Sequence, residues 1–413
     1  RDSSPTPPFS LNLKDAGNSY SPFTAPTVKG SGWNLGASVS IDNSRSVHST
    51  PFGIIVIINT YYPLDTSSNS NDTETTKILC LDPANGSLKW TRILEPASSE
   101  IGRSDTGTAQ DLFRRDSSPG NPGPVVTSPN GHHLAIMVKP YLVSGSSSDV
   151  SDQRMRIVVI DTETGDATRT FEVSGLVLGQ VLTNDSLVVE TSQHFYPAGT
   201  GTLNVFSLTE AQAEPTSFRS DQWLIGASPE SLLMSQELPS HDGSGASWPY
   251  AITRINTAGE ELGTVIGVRG LHPGGWVDRF KDPDAAAEIV NSQNDASERA
   301  KALEALQHEL FHVDTGTTLD AANLLVADVV LPTGSGILLY TQRTESEEEK
   351  TVIYPISWLD TTSGRASLSQ EKMPQILHHA SQHVWNDGFF PSLTTLTPGV
   401  EAPPESLPLP KEQ

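Results

Sequence analysis

The stretch Ile157 to Thr170 reads IVVIDTETGDATRT: an apolar run, an Asp, a polar turn closing on Gly165, then a second alternating run. Ile157, Val158, Val159 and Ile160 are β-branched and suit a pleated, buried surface. Asp161 can fold its carboxylate onto nearby backbone N–H groups and start a turn. Gly165 supplies the positive φ that other residues enter at a cost. The unit is a β-hairpin, and degraded copies of it recur along the chain.

Ile78-Leu79-Cys80-Leu81-Asp82 leads to Gly86 and Trp90. Leu203 to Leu208 keeps the strand and has lost the glycine. Ile252 to Asn256 leads to Gly259, with a turn one residue shorter. Leu310-Phe311-His312-Val313-Asp314 leads to Gly316, with His312 standing where Asp161 stands. Ile356 to Asp360 leads to Gly364. The turn glycines at 165, 259, 316 and 364 are 94, 57 and 48 residues apart, and the first gap holds the degraded copy. A period near 47 residues with several strands per unit predicts a propeller.

Each unit carries the same order: strand, Asn/Asp/Pro turn, apolar strand, loop, then the hairpin. That is four strands. The expected fold is all-β: seven four-stranded blades, with six or eight as alternatives. The seventh is expected to form from both chain ends, Phe9–Thr27 with His379–Val384 and Phe389–Leu396, so that no sheet edge is left open. Asp282 to His308 breaks the pattern. It is rich in Ala and Glu, lacks Gly, and predicts one or two inserted helices with Asp295 or Ser297 as a cap and Glu298 facing Lys301. Glu95 to Gly123 is polar and weak in strand character, and is expected to be an insertion outside the core. Residues 1–8 read as a linker, 9–399 as one domain and 400–413 as a Pro-rich tail.

Net charge is -23, which argues against nucleic-acid phosphates or an anionic membrane surface as partner. Cys80 is the single cysteine, so disulfide frameworks and multi-cysteine metal sites are excluded. Its place in an apolar strand predicts a buried, inert thiol. No run of 18 apolar residues occurs. The Pro/Ser-rich leader and Pro-rich tail suggest a monomeric ectodomain of the bacterial cell surface or envelope, with a signal peptide or anchor removed upstream.

The repeat resembles the quinoprotein-type (PQQ-like) propeller repeat: an apolar strand, Asp-x-x-x-Gly, then a Trp four residues on. Asp82, Gly86 and Trp90 match it fully. Asp161–Gly165 and Asp360–Gly364 match with Arg169 and Leu368 at the Trp position. The resemblance implies a radial propeller with a central channel. Its family includes quinone-dependent dehydrogenases and cofactor-free envelope scaffolds. The dehydrogenases use a vicinal disulfide that one cysteine cannot form, so the cofactor-free branch is expected.

His308-Glu309-Leu310-Phe311-His312 spells HExxH. On a helix, His308 and His312 would share a zinc with Glu309 as general base, and a zinc metallopeptidase is the enzymatic alternative. Alignment with the hairpin repeat puts the same residues on a strand instead. His378, His379 and His383 offer a second histidine cluster that reads more simply as a strand. The sequons at Asn71 and Asn184 also read as turns. The leading expectation is a binding or scaffold module without a cofactor. Its partner is a protein, peptide or glycan met by loop aromatics: Tyr61, Tyr62, Phe195, Tyr196, Trp248 and Tyr250.

Overall fold

The computed structural model describes residues 12–14, 29–30, 33–40, 45–60, 75–81, 88–95, 124–142, 153–192, 199–236, 249–320, 325–331, 334–345, 350–360, 365–367, 375–378, 392–398 and 407–408. They form antiparallel sheets, most of whose neighbouring strands are consecutive in sequence. The first holds Arg45–Thr50, Gly53–Thr60, Thr75–Leu81 and Leu88–Glu95. The second holds Val125–Thr127, His133–Leu142, Gln153–Asp161 and Ala167–Ser174. The third holds Leu176–Leu182, Ser186–Ser192, Gly201–Ser207 and Thr216–Ser220. Trp223–Ala227, Leu232–Ser235, Tyr250–Ile255 and Glu261–Leu271 begin a fourth. This up-and-down order of four is the form of a propeller blade.

The turn chemistry follows the sequence. Asp161 Oδ1 accepts the backbone N–H groups of Glu163 and Thr164 at 2.8 and 3.1 Å. Asn256 Oδ1 does the same for Ala258 and Glu260 at 3.0 and 2.9 Å. The glycines closing these turns have φ of 76° at Gly165 and 86° at Gly259. In the copy that lost its glycine, Ser207 Oγ accepts the N–H of Glu210 at 3.0 Å.

Apolar faces lie between successive sheets. Val158 and Ile160 meet Ile55, Ile78, Cys80 and Trp90 of the first sheet. Ile157 and Val159, on the opposite face, meet Leu182, Leu187 and Val189 of the third. A strand buried on both faces needs an unbroken apolar run, which is why IVVI does not alternate. Each such side chain contributes about 1.5–3 kcal/mol on burial. Cys80 is fully buried.

The third and fourth sheets continue this packing through Val188, Leu203, Leu224 and Met234. Glu261–Leu271 then serves two four-strand runs. Its first part pairs with Tyr250–Ile255, and Val268 to Leu271 pairs with Trp276–Phe280. His308–His312 and Thr318–Asp320 follow, giving a continuous seven-stranded sheet. Between Trp276–Phe280 and His308–His312 stand two helices, α1 (Pro283–Ser292) and α2 (Ala296–Glu304). Asp282 and Asp295 cap them by accepting the N–H groups of Ala285 and Glu298 at 3.0 and 2.9 Å. Lys301 pairs with Glu298 at 2.9 Å. Ala286 of α1 and Leu303 of α2 pack on Phe280.

The sixth run, Leu325–Leu331, Gly334–Glu345, Lys350–Asp360 and Arg365–Ser367, belongs to a nine-stranded sheet that also joins the chain ends. Ser392–Pro398 pairs with Trp33–Ser40 on one side and Gln375–His378 on the other, and the latter pairs with Leu325–Leu331. Among the described residues the ends therefore meet through Trp33–Ser40, and of Phe9–Thr27 only Asn12–Lys14 is described. The eight residues of Trp33–Ser40 match the seven of Ser392–Pro398 in length. The three of Asn12–Lys14 add to the edge of the first sheet at Leu88–Glu95. Among the described residues the paired ends are continuous with the sixth run, and no separate, closed seventh sheet is seen. The Glu95–Gly123 insertion falls, from 96 to 123, outside the described residues.

Candidate functional site: the HExxH strand and its polar surroundings

The HExxH segment is a strand, not a helix. His308–His312 lies antiparallel to Trp276–Phe280, with His308 opposite Phe280 and His312 opposite Trp276. Alternation puts His308, Leu310 and His312 on one face and Glu309 and Phe311 on the other. Residues four apart on a strand stand about 13 Å from each other, too far to share one ion. Glu309 points away from both imidazoles. The helix on which the zinc alternative would bring His308, His312 and Glu309 together is not formed here: Gly316, at φ 72°, closes a hairpin turn and the segment is extended.

Each of the three side chains has other work. His312 occupies the turn-starting position of the repeat. Its Nδ1 accepts the N–H of Thr315 at 3.3 Å, and its Nε2–H donates to the carbonyl of Gly274 at 3.0 Å. The ring meets Trp276 edge-on at 5.0 Å. Glu309 Oε1 accepts from Arg279 Nε and Nη2 at 3.0 and 2.8 Å, and the same guanidinium lies 3.8 Å over Phe311. His308 Nδ1 lies 2.8 Å from Asp278 Oδ1.

Two buried carboxylates organise this region; the sequence marked Asp314 only as a hairpin residue and did not mark Asp278. Asp278 takes His308 on one oxygen and Arg269 on the other, the latter at 3.0 Å. Asp314 Oδ1 accepts from Ser228 Oγ, Ser231 Oγ and Arg254 Nη2, each at 2.9 Å. The residues that meet Asp314 are 60 to 86 positions away. No local pattern marks such a site. Asp278 and His308 form an acid–imidazole pair, yet no hydroxyl or thiol is bonded to His308 among the described residues. Nor does any group of three or more His, Cys, Asp or Glu there suit a metal ion. The arrangement is a brace between strands.

Tyr250 opens the strand Tyr250–Ile255 and is largely buried. Burial, and then the charge of Asp278, push its phenol well above the ordinary tyrosine range. Tyr61, Tyr62, Phe195, Tyr196 and Trp248 lie outside the described residues, in the connections from 61 to 74, 193 to 198 and 237 to 248. Each joins the second strand of a sheet to the third, as the α1–α2 insertion does in the fifth run. In an up-and-down sheet such connections all leave from one end, opposite the hairpin turns. His378 ends the strand Gln375–His378, and His379 and His383 lie outside the described residues.

The hairpin end is cross-linked from sheet to sheet. Trp90 Nε1–H donates to the carbonyl of Thr162 at 3.3 Å. Arg169 donates to the carbonyls of Ser207 and Glu210 at 2.7 and 2.8 Å. Asn184 Oδ1 accepts the N–H of Asn130 at 2.9 Å, and the Asn184 N–H donates to the carbonyl of Pro229 at 3.2 Å. That sequon asparagine thus links three successive sheets. Asn71 lies outside the described residues.

No family model and no curated protein matches the chain in sequence. Solved structures resemble it in shape. The acylaminoacyl peptidase of Pyrococcus horikoshii is similar at TM-score 0.41 and 12% identity, over 90% of this chain and 54% of that one. This chain thus spans about half the length of that peptidase. BamB from Moraxella catarrhalis is similar at TM-score 0.32 and 10% identity, over 88% and 99%. The WD40 domain of Toxoplasma gondii coronin is similar at TM-score 0.35 and 10% identity, over 96% and 88%. Likeness at this level carries no argument about activity or partner.

Proposed function

We propose that the chain is a β-propeller module of the quinoprotein repeat type, seven-bladed and spanning residues 9–399, that acts by binding rather than by catalysis. The observation that carries this is the unequal use of the two ends of the sheets. The hairpin end is tied together by Trp90, Arg169, Asn184 and Asp314. The other end receives the long connections, which contain Tyr61, Tyr62, Phe195, Tyr196 and Trp248. Aromatic side chains dominate interface energetics, and propellers place recognition on connecting loops. The partner is a protein, peptide or glycan, and the setting is extracytoplasmic. Among the described residues no helix is long and apolar enough to cross a membrane.

Site-specific photo-crosslinking tests this reading. A photoreactive residue at position 62, 195 or 248 should give one shared adduct, and the same group at Phe52, in a turn at the hairpin end, should not. Identical adducts from both ends, or none from the three loop positions, would overturn it.

A further inference from the structure

We draw no further inference here: the strongest candidate, the outer edge of residues 261–267 with Leu262 and Ile266 exposed beside the open space at Gly263, is an apolar edge unpartnered among the described residues, and nothing in the structure shows what covers it.

Discussion

A Cβ placed on Gly165 would lie 2.6 Å from Cε3 of Trp90. The hairpin turn of the second sheet is thus seated against the indole of the first, and only glycine leaves room. Phe218 and Gly259 repeat the relationship between the third and fourth sheets, at 2.9 Å. Between the second and third, Arg169 reaches the Ser207–Glu210 turn by hydrogen bonds. Trp90, Arg169 and Phe218, each on the last strand of its four-strand run, thus dock the first, second and third sheets on the next.

Gly165→Ala should be more damaging than Gly316→Ala. Both glycines have positive φ, 76° and 72°, so each alanine bears about 1–2 kcal/mol of backbone strain. Among the described residues Gly316 has nothing within 4 Å of its would-be Cβ, whereas Gly165 meets Trp90 and adds about 1–3 kcal/mol of overpacking. Urea titration should show the difference. It should shrink when Gly165→Ala is made together with Trp90→Ala. Equal losses for the two glycines would remove the docking account.

Arg169→Lys should lose stability although charge is kept. The guanidinium donates through one nitrogen to two carbonyls, a reach that an ammonium on a shorter stem does not reproduce. Loss of such charge-assisted bonds costs about 1.5–3 kcal/mol, and Arg169 is only half-buried, so the lower figure is expected. Thermal melts of Arg169→Lys and Arg169→Leu should fall together. A Lys variant indistinguishable from the parent would assign Arg169 to surface charge alone.

Asp314→Ala should cost about 3–5 kcal/mol, because it leaves Arg254 buried without its carboxylate. The two side chains are only 17% and 8% exposed, at 2.9 Å. Removing both charges together, as Arg254→Met with Asp314→Asn, should cost less than Asp314→Ala alone. A double-mutant cycle reads this coupling directly. Additive losses would show that the pair does not act as a unit.

These relationships mark how far the sequence could be read. The hairpins were legible because their determinants are local: Asp161 and Gly165 are four residues apart and bonded to each other's turn. The helical insertion was legible because Asp295, Glu298 and Lys301 act within the first two turns of helix. The docking of Arg169 was not, since its partners lie 38 and 41 positions on, in another sheet. The partners of Asp314 were hidden for the same reason. The pairing of Trp33–Ser40 with Ser392–Pro398 joins residues more than 350 positions apart, and no local pattern marks it.

Stability should fall at both ends of the pH range. Burial lowers the pKa of His133, opposed by Asp161 and Asp185. The unfolded chain then binds a proton first as pH drops through about 6.5. Stability is complete above that value and declines below it until the folded imidazole titrates. For Tyr250 the folded pKa is raised, so above about pH 10 the unfolded chain loses its proton while the native phenol keeps it. Stability then falls as pH rises. His133→Gln should flatten the acidic limb and Tyr250→Phe the alkaline one. Unchanged limbs in both variants would assign the pH dependence to other groups.

His312 should behave as a turn residue rather than a metal ligand. It stands where Asp161 and Asn256 stand, and like them it accepts a backbone N–H of its turn. His312→Asn keeps an acceptor at that point, while His312→Ala removes the acceptor together with the bond to Gly274 and the contact with Trp276. The Asn variant should therefore be more stable than the Ala variant by about 1 kcal/mol, the worth of one ordinary hydrogen bond. Zinc should not change the melting temperature of the parent or of either variant, because His308 and His312 lie too far apart along the strand to share an ion. Calorimetry with and without zinc, beside elemental analysis of the purified protein, makes the comparison. One tightly held zinc per chain, lost in both His308→Ala and His312→Ala, would require the segment to refold as a helix and would restore the peptidase reading.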